Sequence, residues 1–389
     1  MRSMRWVLLV CVVTTGCVHT ARPDVRPELS VAQVVPLFPQ KVHDADGWAR
    51  DLVLALQTNR LPVDVQHVCS VIAVAEQESG LQANPAVAGL PAIARSSLAE
   101  KAKALGPLGP PLLAKLLEGT APGTSTTFDQ RIDTLRTEAD LDLLFRDILA
   151  DHQRRSPVLY AAANVGATLF SSGSFEDRNP VTTAGSMQVS VRFAEAHARQ
   201  LRRDVERVRD ELYTRAGGLL YGSARLWAFE AGYASMRFRF ADYNAGPFAS
   251  RNAAFQEQLG ALTHTTLALD GDLLAYDPDG DVKSTETKSM AALQQFRDDF
   301  AATLLRPGQV ERDAKKEKTE AFEHTQTWAV VKAAYSAKFK PDAAYARLPV
   351  VSLTSPKLKR PMSTATFAES VERRYTSCLR RAGADAPSS

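Results

Sequence analysis

The chain has 389 residues, 45% hydrophobic and 23% charged, enough apolar material for a sizeable core and too much for wholesale disorder. Its length leaves one elaborated domain or two smaller ones open. The formal charge of +3 falls to about +1 once Arg2 and Arg5 are set aside (3 − 2), which excludes the basic footprint of a nucleic-acid binder, and no RNA- or DNA-binding motif is present.

Residues 1–16 read as a lipoprotein signal peptide. Arg2 and Arg5 form a basic start, Trp6 to Val13 a short apolar run, and Thr14, Thr15 and Gly16 lead to Cys17. Such a run does not cross a bilayer core of about 30 Å as a permanent helix. Cys17 stands where a bacterial lipobox places its acylated cysteine, although Thr14 replaces the usual Leu. The other reading is ordinary cleavage near Thr20. Val18 after the cysteine resembles the enteric pattern that sorts lipoproteins to the outer membrane, where several acyl chains hold stably. Residues 17–42, rich in Pro, Val and Arg, read as a tether. With Cys11 removed and Cys17 acylated, Cys69 and Cys378 remain, either as a disulfide closing a very long loop or as two buried thiols.

From residue 43 order is expected. Trp48, Leu52, Leu54, Ala55 and Leu56 predict an amphipathic helix that stops before Leu61-Pro62. Asp64 is the expected N-cap of the next helix, whose apolar stripe runs through Val65, Val68, Cys69, Ile72, Ala73 and Ala75. Gly80 is its natural stop, with Asn84-Pro85 beyond. Glu76 and Glu78 fall about 200° apart around that helix and face opposite ways. Glu78 occupies the final turn, where the helix dipole disfavours negative charge and pushes its pKa upward.

Helices are then predicted over 96–105, 111–117, 128–136, 139–155 and 157–170, with Gly106-Pro107 and Gly109-Pro110-Pro111 separating the first of them. A polar loop over 171–184 precedes helices near 192–211, 216–231, 235–241 and 248–262. Residues 263–269 and 273–276 read as a short hairpin about Asp270-Gly271. Helices resume over 290–305 and 309–336, where Trp328 marks the buried face. A strand candidate at 348–353 and a last helix over 367–381 follow. The chain is mostly helical and has no internal repeat.

Three short segments stand apart: Gln77-Glu78-Ser79-Gly80, Gly185-Ser186-Met187-Gln188 and Tyr243-Asn244-Ala245-Gly246. In this order and on these flanks they resemble the soluble lytic transglycosylase family, a branch of the lysozyme-like superfamily. There a helix ends in a catalytic Glu-Ser pair, a Gly-Leu-Met-Gln segment follows, and Tyr-Asn-Ala-Gly comes later. The resemblance covers roughly 64–83 and 179–260. As a whole the chain also looks like a group of uncharacterised bacterial outer-membrane lipoproteins of similar length. It departs from the transglycosylase pattern at Ser186, where Leu is usual, and at Asp242, where Ala is usual. A gap of 107 residues (185 − 78) between the first two segments implies an inserted helical subdomain over about 87–178.

The resemblance implies a mainly α, lysozyme-like domain over 43–262 holding that insertion, with a C-terminal hairpin and helical extension over 263–389 packed on the core. It implies cleavage of the MurNAc-GlcNAc bond of peptidoglycan glycan strands, with a 1,6-anhydro product and no cofactor. Glu78 would be the sole acid and base. Ser79, Met187, Gln188, Tyr243 and Asn244 would line the glycan. Two other readings stand beside it. One is a non-catalytic outer-membrane lipoprotein that binds glycan, peptide or an envelope partner. The other is a hydrolytic muramidase using Asp177 or Asp242 as a second carboxylate. No His-Glu-x-x-His motif indicates zinc. Asp277, Asp279 and Asp281 echo a calcium loop, but Val282 and Lys288 stand where that loop needs Gly and Glu, so a turn and no metal are expected. The expected location is the outer membrane, lipid-anchored and facing the periplasm.

Overall fold

The computed structural model of the protein describes residues 28–104, 106–155, 179–233, 235–277, 280–339, 343–353 and 362–384. The signal peptide, Cys17, Asp177, Asp279 and the helix expected over 157–170 lie outside the described residues. Among the described residues the fold is mainly helical, and its only strands are two antiparallel pairs of two residues each.

In chain order, a short helical stretch over 31–37 is followed by α1 (Ala45–Thr58) and α2 (Val65–Ser79). The insertion supplies α3 (Leu90–Ala104), α4 (Gly109–Leu117), α5 (Phe128–Asp133) and α6 (Glu138–Arg155). Strands β1 (Thr183–Ala184) and β2 (Val189–Ser190) pair with Ala184 opposite Val189. Next come α7 (Val191–Gln200), α8 (Val208–Leu212), α9 (Arg215–Leu226), α10 (Met236–Ala245) and α11 (Ala249–Thr263). The last third holds α12 (Lys288–Phe300), α13 (Gln309–Ala314), α14 (Gln326–Phe339), the pair β3 (Ser352–Leu353) and β4 (Met362–Ser363), and α15 (Thr364–Arg381).

The core is built around α2. Asp64 caps it by accepting from the His67 N–H at 2.9 Å, and Gly80 ends it at a left-handed φ of 62°. Every residue from Val68 to Ala75 is buried, so the expected one-sided stripe is in fact a helix covered all round. α15 lies along it and α9 touches it, while α9 also packs on α1. Phe367, Val371, Tyr375 and Leu379 thus join the same core as Trp48, Leu52 and Ile72. The insertion has a small core of its own, centred on Phe128, Ile132 and Leu90, and Leu141 of α6 touches both it and the main core. A further core gathers Phe255, Phe296, Phe322 and Trp328 from α11 to α14, with Phe255 stacked on Trp328 at 5.4 Å between centroids.

Four expectations are corrected. The tether gives way to ordered chain by residue 28: Val34, Leu37 and Phe38 are buried, and the Leu29 N–H donates to the Val63 carbonyl at 2.8 Å. The hairpin over 263–276 does not form. There the buried Glu317 carboxylate accepts from the Tyr276 hydroxyl at 2.7 Å, and from the Leu274 N–H at 2.9 Å and the Leu273 N–H at 2.5 Å, two backbone donors a ladder would use. The helix expected over 192–211 breaks between α7 and α8, where Arg202 takes a left-handed φ of 56°. The stretch 309–336 is likewise interrupted between α13 and α14. At the end of the chain α15 packs into the first core.

Cys69 of α2 and Cys378 of α15 form a disulfide with Cα atoms 5.5 Å apart, across 309 residues of sequence. Thiol titration of the denatured, unreduced protein lacking residues 1–27 should find no free thiol, and finding two would remove the link. Cys378→Ser should lower the unfolding free energy by about 5 kcal/mol, the chain-entropy scale for so long a loop.

Candidate active site

The final turn of α2 sends its two acids to opposite sides. Glu76 faces α15, where Arg374 Nε lies 3.7 Å from its carboxylate. Glu78 is half-buried and its carboxyl has no hydrogen bond or ion pair among the described residues. Burial first, and the charge of Glu138 second, push its pKa up to about 8. It therefore holds its proton at neutral pH. Ser79 beside it is spent on structure: its buried hydroxyl donates to the Ala75 carbonyl at 2.9 Å and accepts from the Gln82 N–H at 3.2 Å. The expectation that Ser79 orients a glycan is corrected accordingly.

The second segment is the tight turn between β1 and β2. Gly185 has φ of 81°, and a side chain there would collide with the Leu212 carbonyl. Met187 is fully buried, and its thioether fills the space left by Gly222 of α9. It is core, not a substrate wall, which corrects a second expectation. Its backbone still serves the site, since the carbonyl accepts from the Tyr243 hydroxyl at 2.7 Å. Gln188 takes a left-handed φ of 48°. Its Nε2 donates to Glu138 Oε2 at 2.9 Å and to the Gly185 carbonyl at 3.3 Å, while its Oε1 accepts from the Thr183 hydroxyl at 3.1 Å.

The third segment closes α10. Burial raises the Tyr243 pKa, the Glu78 charge adds to this, and Arg225 opposes it, so the ring lies within electrostatic reach of both. Asn244 is half-buried, and its Oδ1 accepts from the buried Thr364 hydroxyl at 2.9 Å. Asp242 is fully buried and accepts from the Ser250 N–H at 2.6 Å and the Tyr233 hydroxyl at 3.0 Å. Burial lifts its pKa to about 6 against those hydrogen bonds. It ties α10 to α11 and is neither a solvated helix end nor a carboxylate free to position water.

Two residues were not singled out from sequence, one coupled to Tyr243 and one to Glu78. Arg225 of α9 sits 5.6 Å from the Phe193 ring, and burial lowers its pKa. Glu138, nearly buried in the first turn of α6, is brought in by the insertion. The segment before it pairs with the loop after α2: the Val87 N–H donates to the Arg136 carbonyl at 2.8 Å, Ala86 bridges Thr137, and Asn84 Nδ2 donates to Thr137 Oγ1 at 3.2 Å. Thr137 and Asp140 cap α6 reciprocally, a Thr-x-x-acid signal that places the helix start at Glu138 but not the cleft it faces. Among the described residues one group could hold a metal ion, Glu320, Glu323 and His324, and Glu323 is already engaged by the Tyr345 hydroxyl at 2.6 Å.

A family model described as a protein of unknown function, DUF1615, matches residues 41–381. The uncharacterized protein YaiW of Escherichia coli (strain K12) is 34% identical over 380 residues, spanning 96% of this chain and 97% of that one. No solved structure matches the chain.

The raised pKa of Glu78 has a measurable consequence for stability. An unfolded glutamate titrates near 4.5 and the folded one near 8. Between those values the folded chain holds a proton that the unfolded chain has released, so stability falls as pH rises through that window. Glu78→Gln does not titrate. Relative to wild type it should gain about tenfold or more in its folding equilibrium constant between pH 5 and 8, read by denaturant unfolding at each pH. A pH-independent difference would show that Glu78 titrates normally.

Proposed function

We propose that this chain, which belongs to the DUF1615 family, is a peptidoglycan lytic transglycosylase that cleaves the MurNAc-GlcNAc bond with Glu78 as acid and base. The observation that carries the reading is a half-buried carboxyl, unpaired among the described residues, that is protonated at neutral pH and stands near Tyr243 at the end of a helix buried from Val68 to Ala75. The lysozyme-like assignment rests on the order of the three segments, on the central place of α2 and on the small β1–β2 pair following the insertion.

In the proposed reaction the Glu78 proton passes to the glycosidic oxygen as the bond from C1 breaks. The acetamido oxygen of the same sugar shields C1. The resulting carboxylate then takes the proton of the 6-hydroxyl as that oxygen closes on C1, so no water is consumed and Glu78 ends protonated. The two amides suit an acetamido-bearing sugar. Gln188 has both amide hydrogens engaged and one acceptor position left on Oε1, which fits an acetamido N–H. Asn244 has its oxygen engaged and its Nδ2 without a partner among the described residues, which fits an acetamido carbonyl. We place the protein at the outer membrane, anchored through Cys17 and facing the periplasm; the Cys69–Cys378 disulfide supports an oxidising compartment.

A non-catalytic role in binding glycan, peptide or an envelope partner is favoured by a different observation: Ser79 and Met187 are both absorbed by the protein's own packing. A hydrolytic muramidase is favoured by Glu138, a second carboxylate near the acid. Incubation of the full chain with purified sacculi separates the first of these from the enzyme. Wild type should release muropeptides, and Glu78→Gln should do so at least about 100-fold more slowly. The wild-type rate should fall as pH rises through about 8, the value at which Glu78 loses its proton. Binding to sacculi without release by wild type would establish the non-catalytic role.

A further inference from the structure

The insertion between the acid and its lining reaches into the site. Its helix α6, whose Leu141 touches the main core, begins at Glu138, and the two residues before Glu138 are fastened to the loop that leaves Glu78 through the Val87–Arg136 and Asn84–Thr137 hydrogen bonds. Asp140 holds the Arg136 N–H at 3.0 Å and the Thr137 N–H at 2.8 Å, so the approach of this segment is fixed at both ends. Tyr213 of the α8–α9 turn also reaches the Glu138 carbonyl, at 3.5 Å.

We propose that Glu138 is a positioning residue for this site: it fixes the Gln188 amide and lays a second carboxylate beside Glu78. This rests on the reading of Glu78 as the acid. A carboxylate accepts only, so its contact with Gln188 Nε2 dictates which way the amide points. With Nε2 directed to Glu138 and Gly185, Oε1 is left facing Thr183 with a single acceptor site for an incoming donor. A hydrogen bond to a charged, nearly buried partner is stronger than a neutral one. The insertion therefore completes the site and does not merely cover it.

The charged and titratable groups around Glu78 are few among the described residues. Glu138 approaches from α6 and Tyr243 from α10, with Arg225 of α9 beyond Tyr243. Glu76 on its own helix is turned toward Arg374. Of these, Glu138 adds to the tendency of Glu78 to keep its proton, so removing its charge makes Glu78 a stronger acid.

The test uses the full chain in detergent, labelled with carbon-13 at the glutamate side-chain carboxyls, the Glu78 signal being identified by its loss in Glu78→Gln. Glu138→Gln is isosteric, and its Oε1 still accepts from Gln188, so the fold is retained. It should move the Glu78 titration midpoint down by at least about half a pH unit. Thr183→Val loosens Gln188 without touching either charge. It should leave that midpoint in place while raising KM on sacculi about tenfold at unchanged kcat. Glu138→Asp should restore most of the midpoint that Glu138→Gln loses. An unmoved midpoint in Glu138→Gln overturns the proposal, as does a Thr183→Val variant that shifts it. The titration needs no substrate. A protein that shows the shift but leaves sacculi intact refutes the transglycosylase reading and keeps the Glu138–Glu78 coupling. One that cleaves sacculi without the shift does the reverse.

Discussion

A carboxyl at the last turn of a helix that is buried on every side is the constraint on which the rest depends. α2 has no solvent face between Val68 and Ala75, so the chain must cover it with α9, α15 and the disulfide to Cys378. That enclosure fixes the end of the helix. It also removes water from around Glu78, and burial is the larger cause of its raised pKa. The acid's chemistry and the core's packing thus share one origin. Glu76, two positions earlier, points to the opposite side, toward Arg374, so the helix sorts its two acids by geometry alone.

The proposed lining is interleaved with structural contacts. Tyr243 is held by a carbonyl of Met187, whose side chain is held in turn by the absence of one at Gly222. Gln188 has both ends of its amide engaged by the protein, and Asn244 has its oxygen engaged. In both cases a fixing group comes from outside the recognisable segments: Glu138 from the insertion and Thr364 from the start of α15. The parts of the chain with no counterpart in the three segments are therefore the parts that orient them. Such supporting contacts decide whether polar groups at a site are aligned or merely nearby.

Much of the fold was legible in the sequence. The Asp64 cap, the apolar run of α2 and the Gly80 stop are local signals, and the structure follows them closely. The elements that were misread depend on distant partners. The segment near 263–276 carries turn residues that suit a hairpin, but Glu317, 41 to 44 residues further on, takes its donors. The early tether reads as Pro-rich, yet Val34, Leu37 and Phe38 find a place in the core, where Arg381 of the distant α15 donates to the Leu37 carbonyl at 2.8 Å. At the site, Glu78, Gln188, Tyr243 and Asn244 came from segments of known order, and those are local. Ser79 and Met187 look like lining in sequence because burial is not written in residue type. Glu138 was out of reach for the opposite reason: a glutamate in the first turn of a helix is ordinary, and only the pairing of residues 84–87 with 136–137 brings it to Gln188.

The central claim is that Glu78 acts as both acid and base on a glycan, with no water entering the reaction. Mass spectrometry of the fragments released from sacculi by the full chain tests it most directly. The account predicts glycan ends that are one water lighter than reducing ends, as 1,6-anhydro closure requires. Reducing ends at full mass would contradict it, because a water would then have reached the carbon that the 6-hydroxyl is proposed to attack.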